Sequence, residues 1–77
     1  MRDSNRLDAF YETLKEIHKT YFPDWRFGQF ITNFEGWYYD KYHRDMYYVE
    51  DGFILDDIKD FAKSLFFLKE VMNNINE

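Results

Sequence analysis

The sequence predicts an all-α domain of three helices, with a long C-terminal helix and an ordered aromatic connection between helices two and three. Three observations carry that expectation. Apolar residues at Leu7, Phe10, Leu14, Ile17 and Tyr21 follow the three-four spacing of one helix face. A longer series, Ile54, Ile58, Phe61, Leu65, Leu68, Met72 and Ile75, alternates steps of four and three without a break. The one segment with strand-like residue types, Met46 to Val49, has no clear hairpin partner, and a lone strand leaves its backbone groups unsatisfied. At 77 residues the chain has room for one domain, residues 1–77, and one core.

Helix one is expected from Ser4 to about Thr20, with Asp3 as N-cap because its carboxylate can accept from the free amides of the first turn. Pro23 ends it, since the residue before a proline is pushed out of helical geometry. Asp24 is placed to cap helix two, whose stripe is Phe27, Phe30, Ile31 and Phe34, and Gly36 supplies a left-handed stop. Gly28 lies inside that helix, where glycine costs about 1 kcal/mol relative to alanine. Its presence points to close approach of another backbone, with a local distortion as the alternative. Residues 37–45 show no clear period and read as a loop or an irregular turn of helix. Met46 to Val49 is expected as extended chain packed on the helices.

Asp51 is placed to cap helix three, and Asp56 and Asp57 follow where the helix dipole favours negative charge. A helix from Gly52 to about Asn74 is roughly 35 Å long at 1.5 Å per residue, so its carboxyl end should overhang the rest of the molecule and meet a second chain. Phe66 and Phe67 each lie about 130° from the middle of the Leu65 and Leu68 seam, on a side that a solvated helix keeps polar. Either the aromatic segment 37–48 folds over them or a second chain does.

Composition points to contact rather than chemistry. Eighteen residues are aromatic, twelve of them between Tyr21 and Tyr48, more than a core this small requires. Trp and Tyr offer large contact area at low side-chain entropy and are enriched at binding hot spots. Without cysteine there is neither a disulfide nor a thiolate zinc site. The amino terminus is polar and no apolar run approaches the roughly 18 residues of a membrane span, so a cytoplasmic protein without a membrane partner is expected. Residues 1–44 are neutral, and residues 45–77, with three basic and eight acidic residues, carry the whole net charge of −5. No basic stripe is present, which argues against direct nucleic-acid binding, whereas the acidic third suits a basic protein surface.

The candidate chemistry is thin. His18 and His43 sit in different elements with no metal-ligand spacing, even with Asp40 or Asp45 added, and His18 reads as a partly buried residue of helix one. Glu50, Asp51, Asp56, Asp57 and Asp60 form an acidic cluster that does not match an EF-hand loop. Helix capping and solvation explain most of it, and an acidic docking surface is its functional reading. There is no phosphate loop or nucleophile elbow, and Ser4 and Ser64 are the only serines. No catalytic residue, metal or cofactor is therefore expected. Arg26, with Gln29 and Asn33 beyond it, is expected to pair with Glu50 or Asp51 and fasten helix two to helix three.

Several blocks stand together: Arg2-Asp3 with Arg6-Leu7, then Pro23-Asp24-Trp25-Arg26-Phe27-Gly28-Gln29 with Asn33, then Asp45 and Tyr47-Tyr48-Val49-Glu50-Asp51. In these the chain, from residue 2 to about residue 65, resembles a family of small proteins from low-GC Gram-positive bacteria and their phages, a family without an assigned activity. Ser4 stands where that family has a helix-opening proline, and Tyr47 where it has phenylalanine. The resemblance implies that Arg26, Gly28, Gln29, Glu50 and Asp51 form a shared structural feature, and that the segment after residue 65 is particular to this chain.

Together these readings describe a non-enzymatic, phage or prophage protein-binding module. It would dock on a host protein through Trp37, Tyr38, Tyr39, Tyr42, Phe66 and Phe67, helped by Asp56, Asp57 and Asp60. Inhibition of a host nucleic-acid enzyme, including a defence nuclease, is one use for such a surface. The alternative is a homodimer built through helix three, with a structural or regulatory role.

Overall fold

A computed structural model of the chain, describing residues 2–75 and the side chains of residues 2–68, has three helices: α1 over Arg6–Tyr21, α2 over Phe27–Tyr42 and α3 over Asp51–Ile75. There is no strand among the described residues. The expected all-α, three-helix architecture with a long last helix is what the chain adopts.

Side-chain pairs define the topology. Arg6 meets Asp51 at 2.9 Å and the ring of Tyr21 meets that of Phe66 at 5.8 Å, both pairs 45 positions apart, so α1 and α3 run parallel in constant register. Along α2 the partners step backwards on α3: Phe34 and Trp37 pack on Phe61 at 5.6 and 5.7 Å, and Tyr42 reaches Asp57 at 2.7 Å. α2 is therefore antiparallel to both neighbours. α3 continues from Phe66 to Ile75 past the last residue of α1, which is the overhang its length implies.

Phe61 is the hub of the core. It is 2% exposed and contacts Phe22, Trp25, Phe34 and Trp37. Around it Ile17, Phe30, Tyr38, Ile54, Ile58 and Ala62 are buried. Each large apolar side chain so buried contributes about 1.5–3 kcal/mol, and aromatic pairing adds about 0.5–1.5 kcal/mol per pair. The α3 seam is buried at Ile54, Ile58 and Phe61 and half-buried at Leu65, and at Leu68 it is exposed. The side chains of Met72 and Ile75 lie outside the described residues.

Helix boundaries differ from the expected ones where tertiary contacts intervene. Asp3 does not cap α1; its carboxylate accepts from the Asn5 amide at 3.0 Å in a turn before the helix, and Asn5 is the N-cap residue. α1 ends at Tyr21, where the Phe22 amide donates to the His18 carbonyl at 3.0 Å, in keeping with Pro23. Asp24 does not cap α2. The Trp25 amide donates to the Phe22 carbonyl at 3.1 Å and the two rings stack at 4.2 Å, holding residues 22–25 in a turn. α2 then opens at Phe27, with the Gln29 Oε1 accepting the Arg26 amide at 2.7 Å, the reciprocal half of a capping box.

Gly36 does not stop α2. The helix runs through it to Tyr42, so most of the expected loop 37–45 is helical, and the left-handed residue is His43 at φ 56°. Phe30, Phe34 and Tyr38 recur at intervals of four, with Trp37 beside them, and burying Tyr38 outweighs the cost of about 1 kcal/mol for one helical glycine. Gly28 is no point of backbone approach either, since a Cβ there meets nothing within 4 Å. Residues 46–49 form a turn, not extended chain, closed by the Val49 amide on the Met46 carbonyl at 3.1 Å. Asp51 is the first residue of α3 instead of its cap, and the Glu50 carbonyl accepts the first amides, those of Phe53 and Ile54, at 3.1 Å.

Candidate functional site

The side chains expected to form one docking surface are divided by the fold. Tyr38 is 1% exposed and Trp37 and Tyr42 are half-buried, all three belonging to the core or its edge. Tyr39 is exposed near the α2–α3 turn, whereas Phe66 and Phe67 are exposed toward the far end of α3. Segment 37–48 does not cover these phenylalanines, because residues 37–42 are committed to α2 packing. Tyr21 of α1 meets the Phe66 ring edge-on instead. At 100° per residue Phe67 lies within about 40° of Asp56 and Asp60, on the face of α3 opposite the core. Asp56 and Asp60 are exposed, while Asp57 accepts from the Tyr42 hydroxyl.

Around the turn, a short helix end and two local hydrogen bonds decide which aromatics point outward. The His43 amide donates to the Tyr39 carbonyl at 2.7 Å, and Asp45 Oδ1 accepts the Tyr47 amide at 3.0 Å. Met46 and Val49 turn inward onto the core, leaving Tyr47 and Tyr48 81% and 90% exposed, their rings edge to face at 4.8 Å. Arg44 Nε donates to the Tyr38 hydroxyl at 3.3 Å and its guanidinium stands 5.4 Å from the Tyr42 ring. Lys41 Nζ stands 4.9 Å from the Trp37 ring. The Asp57 carboxylate, which needs the Tyr42 proton for its hydrogen bond, pushes the Tyr42 hydroxyl above its ordinary pKa.

Two grooves flank this turn. The larger, of about 750 Å³, is lined by Glu35, Gly36, Tyr39 and Asp40 on α2 and by Asp45 and Tyr47 on the turn, with Tyr38 and Met46 at its apolar base. The smaller, of about 450 Å³, lies across Asp45 and is lined by Arg44, Tyr48, Glu50 and Phe53. Sequence reasoning passed over Tyr47, Tyr48 and Phe53 as contact residues. The available signal was the spacing of Met46 and Val49, which in a turn points both inward and the two tyrosines between them outward.

The five motif residues fall into two local structures. Arg26 and Gln29 form the opening of α2, with Gly28 between them. Glu50 and Asp51 are taken by Arg2 and Arg6 respectively, not by Arg26. The expected pairing of Arg26 is replaced because α1, parallel to α3, brings its own amino end to the start of α3. These pairs are exposed and contribute about 0–1 kcal/mol each. Half-buried His18 places Nε2 2.8 Å from the Trp25 carbonyl and its ring 4.8 Å from Phe30, a packing role. No group of three or more potential metal ligands occurs among the described residues. Nor is any helix among them long and apolar enough to cross a membrane.

Fold and surface together define the class: a small all-α, three-helix protein with an aromatic cluster spanning its helices and further aromatic side chains left on its surface. Comparison of the chain with protein-family models, with curated proteins and with solved structures finds no match.

Proposed function

We propose that the protein is a non-enzymatic binding module, of phage or prophage origin, that docks on a host protein and modulates or inhibits it. The observation that supports this reading is the exposure of Tyr39 and Tyr47 along the larger groove at the α2–α3 turn, with Tyr48 exposed on the smaller groove beside it, after the core has been completed by other aromatics. Exposed aromatic side chains beside a concave apolar surface are the usual anchors of protein interfaces. A cytoplasmic setting and a host nucleic-acid enzyme as target belong to the same proposal; the acidic residues 45–77 favour a basic target surface. The test is capture of host protein on immobilised wild-type chain and on Tyr39→Ala/Tyr47→Ala. Loss of a specific captured band in a variant with an unchanged melting curve supports the reading. Identical capture by both sinks it.

A second reading has its own observation. Phe66, Phe67 and Leu68 are 47%, 65% and 56% exposed where α3 passes the end of α1, apolar side chains on successive faces of the helix that a second copy of the chain could cover. Light scattering on a size column over a concentration series, for wild type and Phe66→Asp/Phe67→Asp, tests it. A dimer lost in the folded variant supports it, and a monomer throughout removes it.

A further inference from the structure

We propose that the groove between α2 and the 45–47 turn holds the charged head of an arginine or lysine side chain presented by an exposed peptide segment of the partner protein. This rests on the binding reading above and specifies the chemistry of its partner. Three carboxylates, those of Glu35, Asp40 and Asp45, line the groove, and no Lys, Arg or His does. Its volume of about 750 Å³ is in the range of sites that enclose a ligand group.

The aromatic walls point the same way. Tyrosine faces attract a cation within about 6 Å of the ring centre, and Arg more often than Lys takes such positions. This chain already uses the interaction on the flank of α2, where Lys41 and Arg44 stand 4.9 and 5.4 Å from the Trp37 and Tyr42 rings. Among the described residues no cation of the chain stands over Tyr39 or Tyr47, the two exposed rings of the groove. Half-buried Met46 in the groove lining suits the methylene stem of a long basic side chain, and the carboxylates suit its head. The same carboxylates repel phosphate, which disfavours nucleic acid and anionic lipid as occupants.

The test uses the full chain, labelled with ¹⁵N, and two blocked peptides, Gly-Arg-Gly-Arg-Gly and the same peptide with citrulline for arginine. Citrulline keeps the shape and removes the charge. Expected are saturable shifts of the Gly36, Asp40, Asp45 and Tyr47 amides with the arginine peptide at millimolar concentration, and about tenfold weaker binding of the citrulline peptide. Glu35→Gln/Asp45→Asn should weaken the arginine peptide by a similar factor, because a carboxamide at the second position keeps the oxygen that accepts from the Tyr47 amide while losing the charge. Equal binding of both peptides, shifts confined to the Phe66 end of α3, or no shift in the four amides overturns the proposal. If it is overturned while Tyr39→Ala/Tyr47→Ala still abolishes host-protein capture, the binding module stands and only the basic chemistry falls.

Discussion

The Tyr42 hydroxyl donates to Asp57 Oδ1 at 2.7 Å, tying the last residue of α2 to the second turn of α3 and so closing the eight-residue connection between them, residues 43–50. This bond engages the Asp57 carboxylate, while Asp56 and Asp60 stay exposed.

Tyr42→Phe should lower the urea midpoint at neutral pH, and the loss should vanish at high pH. The folded-state pKa of Tyr42 is raised above its ordinary value of 10.0, chiefly by the hydrogen bond to Asp57. A raised pKa means that the contribution is fully present below pH 10 and is lost as the pH climbs through the higher folded value. Urea midpoints of wild type and Tyr42→Phe at neutral pH and above pH 10 check this. A gap that persists unchanged into strong base would show that the hydroxyl proton is not what matters.

Gly36→Ala should stabilise the protein by up to about 1 kcal/mol, since the position is inside α2 and a Cβ there meets nothing within 4 Å. Had Gly36 been a left-handed stop, the same change would destabilise. Chemical denaturation therefore decides, by its sign alone, whether α2 passes through this residue in solution.

Phe61→Ala should cost about 3–5 kcal/mol, enough to unfold much of a small domain, because its ring is the common neighbour of Phe22, Trp25, Phe34 and Trp37. Phe67→Ala, at a residue 65% exposed, should change stability by no more than about 0.5 kcal/mol. Thermal melts of the two variants side by side would expose a misplaced α3 if their effects were reversed.

A double-mutant cycle of Arg6→Ala and Asp51→Ala should give a coupling of about 0.2–1 kcal/mol, as for other exposed pairs. The cycle of Arg26→Ala with Asp51→Ala should give none. Coupling in the second cycle and not the first would mean that α1 and α3 do not run parallel in this register.

Much of the architecture is legible in the chain. The three-four spacing from Leu7 to Tyr21 and the longer series from Ile54 locate α1 and α3, because a helix face that must be buried writes its period into the residues that cover it. Pro23 marks the break between α1 and α2 for a purely local reason. What local reasoning could not supply is how a neighbour reassigns a residue. Gly36 reads as a terminator until Phe61 is there for Trp37 to pack on and the core closes over Tyr38. Arg26 reads as the partner of Glu50 or Asp51, and only the parallel register of α1 and α3 gives Asp51 to Arg6 instead. The surplus of aromatics was visible by count, but the sequence could not say which of them were surplus. That division, Tyr38 inward and Tyr39, Tyr47 and Tyr48 outward, depends on the path of the turn and on which faces of three helices meet, and burial is a property of the neighbours a residue acquires only in the folded chain.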